Sequence, residues 1–146
     1  MTRTRLVVVA MLASAALAAC GGGSTGTAMS NADYKHQADL ACTSFQKDLL
    51  AAAAKFDAKK ASSVTLTATK VAALFHQTAD SLRKVGYPKG RKDDANAFYD
   101  GLDKVGDKLT SNPDVLKSNT APKEFKDLDA LAKKIGITTC GSTAGS

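Results

Sequence analysis

The chain has 146 residues, with 20 Lys and Arg against 14 Asp and Glu, and a formal net charge of +6. This length fits one domain plus short flanking segments, and the high content of Ala, Leu, Lys and Asp favours helix over strand. Because no run of basic residues is interleaved with aromatic residues, the sequence does not predict a protein that binds nucleic acid.

The first 19 residues have the features of a secretory signal peptide. Two arginines in "MTRTR" precede the uncharged apolar run "LVVVAMLASAALAA" (Leu6 to Ala19). A membrane-spanning helix needs about 20 apolar residues, whereas a charged start followed by 7–15 apolar residues is typical of an export signal. We therefore expect residues 1–19 to be removed and the rest of the chain to be exported.

The apolar run ends in "LAAC" (residues 17–20), which resembles the bacterial lipobox. The resemblance implies cleavage before Cys20, a diacylglyceryl group on its sulfur, and a location on the extracytoplasmic face of the cell membrane. Two acyl chains hold a protein firmly, whereas one gives only marginal binding. The alternative is an ordinary signal peptide cut after Ala15 or Ala18. The following "GGGSTGTAMS" predicts that residues 20–30 form a lipidated cysteine and a flexible tether.

Apolar residues recur at spacings of three and four from residue 31 onward, which predicts amphipathic helices. Ser30 or Asn31 can cap the first helix, and "GYPKG" (residues 86–90) ends the second. The predicted helices cover residues 31–58, 62 or 63 to 85, 93–109, and 122–135. Residues 31–140 are therefore expected to form an all-α domain, an antiparallel four-helix bundle, followed by a disordered tail at 141–146. An open array of helical hairpins is the alternative.

Cys42 and Cys140 remain once Cys20 is assigned to lipid. An even pair of cysteines in an exported domain predicts a disulfide. In an up-down-up-down bundle, Cys42 lies about 24 Å from the end of the first helix, and the fourth helix descends about 21 Å from the same level. These heights agree, so one disulfide is expected to close the bundle. The alternative is a pair of reduced, buried thiols.

Candidate catalytic and metal-binding residues are few. His36 is expected to face solvent, and His76 flanks the apolar stripe of the second helix; each lies one turn from an aspartate. The chain has no His-x-x-x-His or Cys-x-x-Cys motif, no nucleophile elbow and no phosphate-binding loop. The sequence therefore predicts a non-catalytic protein with no metal and no cofactor.

The stretch "RKVGYPKGRK" (residues 83–92) contains five cations and no acidic residue. In a bundle, this connection lies at the same end as the start of the first helix, which is the tethered end. Cations near an anionic membrane contribute about 1 kcal/mol each, so an anionic lipid or envelope polymer is a candidate partner; the alternative is a solvated loop. The candidate contact residues are Arg83, Lys84, Lys89, Arg91 and Lys92.

Three segments, "LACTSFQKDL", "LRKVGYPKG" and "LAKKIGITTCG", resemble small actinobacterial lipoproteins of uncharacterised function. This chain has "YP" where two prolines are usual in that family. The resemblance implies an all-helical, disulfide-closed lipoprotein and implies no activity. We therefore expect a binding or structural accessory module of the cell envelope, with a protein partner that the sequence does not identify. The alternative is a carrier of a small apolar ligand or haem within the bundle.

Overall fold

A computed structural model describes residues 26–118 and 123–140. The described residues are mostly helical, and they also contain a short parallel strand pair that the sequence did not predict. The four helices are α1 (Asn31–Ala53), α2 (Ala61–Val85), α3 (Lys92–Ser111) and α4 (Lys123–Lys134). The two strands are β1 (Ala28–Met29) and β2 (Tyr87–Pro88), and a 3₁₀ helix (Pro113–Lys117) follows α3.

Ser30 caps the start of α1, as its position before the apolar stripe predicts. Its Oγ accepts a hydrogen bond from the Asp33 amide at 3.1 Å and donates one to the Asp33 carboxylate at 2.6 Å. The cap satisfies one of the amides that have no partner in the first turn of a helix. The acidic side chain of Asp33 also lies where the helix dipole favours negative charge.

The prediction that the first helix continues to residue 58 is wrong, because α1 ends at Ala53. The hydroxyl of Ser63 accepts a hydrogen bond from the Asp57 amide at 2.9 Å and donates one to the Lys55 carbonyl at 3.3 Å. These bonds hold the chain in a turn, so Ser63 stabilises the connection and does not cap α2. The other predicted helix bounds lie within two residues of those observed.

The core lies between α2 and α3 and extends to α1 and α4. His76 contacts Asp103, whereas Arg83 contacts Asp100, so α2 and α3 run in opposite directions. Phe75 on α2 lies between two other aromatic rings in edge-on contact, with centroids 4.9 Å from Phe45 on α1 and 5.7 Å from Phe125 on α4. This ring cluster joins three helices through the geometry that aromatic pairs prefer.

The chain after α4 packs along α1. Gly136 has a φ of +81°, which does not allow α4 to continue. The next residue, Ile137, is fully buried. Cys140 is joined by a disulfide to Cys42, with their Cα atoms 5.1 Å apart. The Gln46 side chain donates to the Thr139 carbonyl at 2.5 Å. The cysteines that the sequence analysis paired are therefore bonded, and the bond fixes the C-terminal segment against α1.

Candidate functional site

The chain enters the domain against the connection between α2 and α3. The Gly26 amide donates to the Arg83 carbonyl at 3.1 Å, the Tyr87 amide to the Thr27 carbonyl at 3.3 Å, and the Lys89 amide to the Met29 carbonyl at 2.9 Å. Residues 26–30, which the sequence assigned to the flexible tether, therefore belong to the fold. Gly26, from which the chain leads back to Cys20, therefore lies beside the cationic stretch of residues 83–92.

Two glycines make this pairing possible. A Cβ atom on Gly26 would lie 2.2 Å from the Cα of Gly86, and one on Gly86 would lie 2.3 Å from the Thr27 carbonyl oxygen. Gly86 also has a φ of +112°, a backbone conformation that side chains rarely allow. The two chain segments approach this closely because neither glycine carries a side chain.

Two buried tyrosines form hydrogen bonds to the backbone next to the strand pair and to each other. The Tyr99 hydroxyl donates to the Gly86 carbonyl at 2.5 Å, and the Tyr34 hydroxyl lies 2.9 Å from that of Tyr99. Burial raises the pKa of both phenols, and the mutual hydrogen bond raises the pKa of Tyr34 further. Both tyrosines therefore keep their protons, and since the Tyr99 proton goes to Gly86, Tyr34 donates to Tyr99. The hydrogen-bonded chain links α1 and α3 to the turn that precedes β2.

The structure separates Arg83 from the other four candidate contact residues. The Arg83 guanidinium lies 2.6 Å from Asp103, 2.9 Å from Asp100 and 3.5 Å from Asp80, and its side chain is only 15% exposed. Burial lowers the pKa of this guanidinium, but the carboxylates outweigh burial and raise it. Arg83 therefore joins α2 to α3, and its charge is paired with carboxylates of both helices.

The other four candidate contact residues are exposed around the strand pair, and we call the surface that they form the basic end. They are Lys84, Lys89, Arg91 and Lys92. The Lys92 ammonium lies 5.5 Å from the centre of the Tyr87 ring, a cation–π distance. Arg91 donates to the Lys134 carbonyl at 2.6 Å, which brings the end of α4 to the same place. Arg91 also lies 3.8 Å from the Asp94 carboxylate. Within residues 26–118 and 123–140, no carboxylate pairs with the three lysines.

His76 contributes to the contact between α2 and α3. Its Nδ1 lies 2.8 Å from Asp103, and its Nε2 lies 3.5 Å from Asp107. The neighbour expected from the sequence, Asp80, contacts Arg83 instead. The part of the chain that the structure describes contains no group of three or more His, Cys, Asp or Glu side chains arranged to hold a metal ion. His36 is exposed on α1.

Comparison with known proteins found no family model, no curated protein and no solved structure that matches the chain. None of the helices described above is both long enough and apolar enough to cross a membrane. Cys20 and the predicted signal peptide lie outside the described residues.

Proposed function

We propose that this chain is an exported lipoprotein, held at the extracytoplasmic face of the membrane by lipid on Cys20. In this proposal residues 31–140 form an antiparallel four-helix bundle that acts as a non-catalytic binding or structural accessory module of the cell envelope. Its protein partner remains to be found. The pairing of β1 with β2 is the observation that supports the proposal most, because it holds residues 28 and 29, eight and nine positions after Cys20, against residues 87 and 88.

The distance from anchor to domain is short. Only residues 21–25 separate Cys20 from Gly26, the first residue that the structure describes. Six residue steps span at most about 20 Å when fully extended, and a Gly/Ser-rich chain of this length averages about 13 Å. The basic end is therefore the part of the domain that lies nearest the lipid headgroups.

Electrostatics favour contact at this end. Four exposed cations near an anionic surface contribute about 1 kcal/mol each, and the Debye length of about 8 Å at physiological salt limits this attraction to groups close to the membrane. Because the anchor already supplies the binding energy, the cations act on orientation. We therefore propose that the basic end faces anionic lipid and leaves the rest of the domain exposed to a partner.

The anchor itself is tested by labelling cells with an alkyne-bearing fatty acid. We expect the wild-type protein to incorporate the label, and Cys20→Ser to lose it and to accumulate as an unprocessed precursor. The matched control is Ser24→Ala, which changes a residue close to Cys20 but keeps the cysteine, and it is expected to retain the label. A wild-type protein without label, and with its N-terminus at Ala16 or Ala19, would show an ordinary signal peptide and contradict the proposal.

The orientation is tested on the mature protein anchored in nanodiscs whose lipids carry a gadolinium chelate. We expect relaxation of backbone amides to be strongest at residues 84–92 in discs with anionic lipid, and at least twofold weaker there in the triple variant Lys89→Glu, Arg91→Glu and Lys92→Glu. The relaxation is expected to weaken because anionic lipid repels the three glutamates of this variant. High salt is expected to have the same effect on the wild type.

The control reverses the same number of charges at the other end of the domain. Lys55, Lys59 and Lys60 are exposed in the connection between α1 and α2, about 34 Å from the start of α1 along its 23 residues. Changing all three to glutamate is expected to leave the relaxation pattern of residues 84–92 unchanged. An equal effect of both triple variants, or equal relaxation at both ends of the wild type, would refute the orientation.

A further inference from the structure

An apolar cavity of about 180 Å³ lies at the end of the domain away from the strand pair. The end of α1, the middle of α2, the end of α3, the 3₁₀ helix and the start of α4 all contribute to its wall. Three phenylalanines, Phe56, Phe75 and Phe125, line it. Thr67 is the one residue with a polar side chain among the nine described residues of the lining.

The cavity lies far from the residues at which the described chain begins. Leu49, one of the lining residues, lies 19 residues beyond the cap Ser30, which is about 28 Å along α1. The chain reaches Cys20 from the opposite end, through β1. This separation favours an occupant that diffuses to the cavity from solution.

The size and chemistry of the wall limit the class of ligand. A cavity of about 150 Å³ lined by Leu, Ile and Phe binds benzene and stays free of water. The present cavity has nearly the same volume and an equally apolar wall, and it is partly open to solvent. Pockets for drug-sized ligands measure roughly 300–1,000 Å³, so a haem group is too large. A charged ligand would lose its hydration without finding a charged partner among the described lining residues.

We infer that this cavity binds an uncharged molecule with a single ring of about the size of benzene. Phe75 offers such a ring a wall of fixed orientation, because Phe45 and Phe125 hold it edge-on. A ligand ring that contacts Phe75 or Phe125 can adopt the same edge-to-face geometry, which aromatic pairs prefer. Leu116, on the partly buried 3₁₀ helix, contributes another part of the wall.

The test uses the mature protein in nanodiscs. Toluene is supplied as vapour at a fixed pressure, so that its uptake by the lipid does not change the thermodynamic activity of toluene in the solution. We expect saturable shifts of the Val71 and Leu109 methyl signals, with a dissociation constant on the order of 1 mM. We also expect nuclear Overhauser contacts from toluene to the rings of Phe75 and Phe125. Benzoate, which has the same ring with a charge, is expected to cause no saturable shift.

Leu116→Phe adds volume inside the cavity and is expected to weaken toluene binding at least tenfold while the protein remains folded. The matched control is Leu74→Phe, since Leu74 is partly buried on α2 but lines a different groove; its affinity is expected to stay within twofold of wild type. The inference fails if toluene gives no saturable shift, if its contacts lie outside the cavity, or if folded Leu116→Phe binds as tightly as wild type. The contacts in the wild type decide the question even if Leu116→Phe does not fold.

Discussion

Replacing Cys42 and Cys140 together by alanine is expected to lower the free energy of unfolding by about 4–5 kcal/mol. The two cysteines lie 98 residues apart, and the chain-entropy argument assigns about 4.7 kcal/mol to a loop of about 100 residues. Domains of this size are stable by only about 5–15 kcal/mol in total. We therefore expect the double variant to be partly unfolded at 37 °C, with a much lower urea midpoint.

Reduction of the wild-type protein provides the control for this experiment. Treatment with a phosphine reductant is expected to lower the wild-type urea midpoint to nearly that of the double variant, and to leave the double variant unchanged. The comparison separates the cross-link from packing losses at Cys42, which is fully buried. A loss below about 1 kcal/mol in both cases would show that the segment after α4 stays in place without the bond.

Local patterns in the sequence were sufficient to predict the helices and the disulfide. Apolar spacing depends on the helical period alone, and the pairing of Cys42 with Cys140 follows from the number of cysteines that remain. The same spacing was misleading at Phe56, which continues the stripe of α1 but lies beyond its end. Phe56 lines the cavity instead, and the turn that places it there depends on Ser63, a residue of the next helix.

The strand pair could not be predicted from local patterns, because each strand has only two residues and no alternation of apolar and polar side chains. A glycine-rich segment is typical of a flexible linker, and Gly26 fits that description in sequence. Its structural role comes from Gly86, which lies 60 positions further along the chain. Close approach of two backbones over that distance leaves no periodic signal.

The candidate site was predicted in part for a similar reason. The run of cations from residue 83 to 92 identified one end of the domain, and four of those side chains are exposed there. Whether the charge of Arg83 is exposed or paired depends on Asp100 and Asp103, which lie on α3 and contact Arg83 on α2. A linear sequence shows how many charges a segment carries, but the partners of each charge depend on how the helices pack.

Gly86→Ala is expected to lower the free energy of unfolding by about 3 kcal/mol. A residue with a side chain at a glycine-only backbone conformation costs about 1–3 kcal/mol, and Gly86 has a φ of +112° and a ψ of −136°. The new methyl group would also lie 2.3 Å from the Thr27 carbonyl, so β1 must move and its hydrogen bonds to β2 are lost. Urea denaturation measures the loss, and hydrogen exchange at the Lys89 amide reports on the strand pair.

Two further alanine substitutions separate these effects. Gly90 has a φ of +78° but open space around it, so Gly90→Ala is expected to cost only about 1 kcal/mol and to leave exchange at Lys89 slow. Gly26→Ala keeps Gly86 intact but places a Cβ 2.2 Å from its Cα, so we expect β1 to detach with a small loss of stability. Slow exchange at Lys89 in Gly26→Ala would contradict this account. Detachment would also lengthen the tether by residues 26–29, since Ser30 remains the cap of α1. In anionic nanodiscs the preferential relaxation of residues 84–92 should therefore weaken, although every cation of the basic end remains.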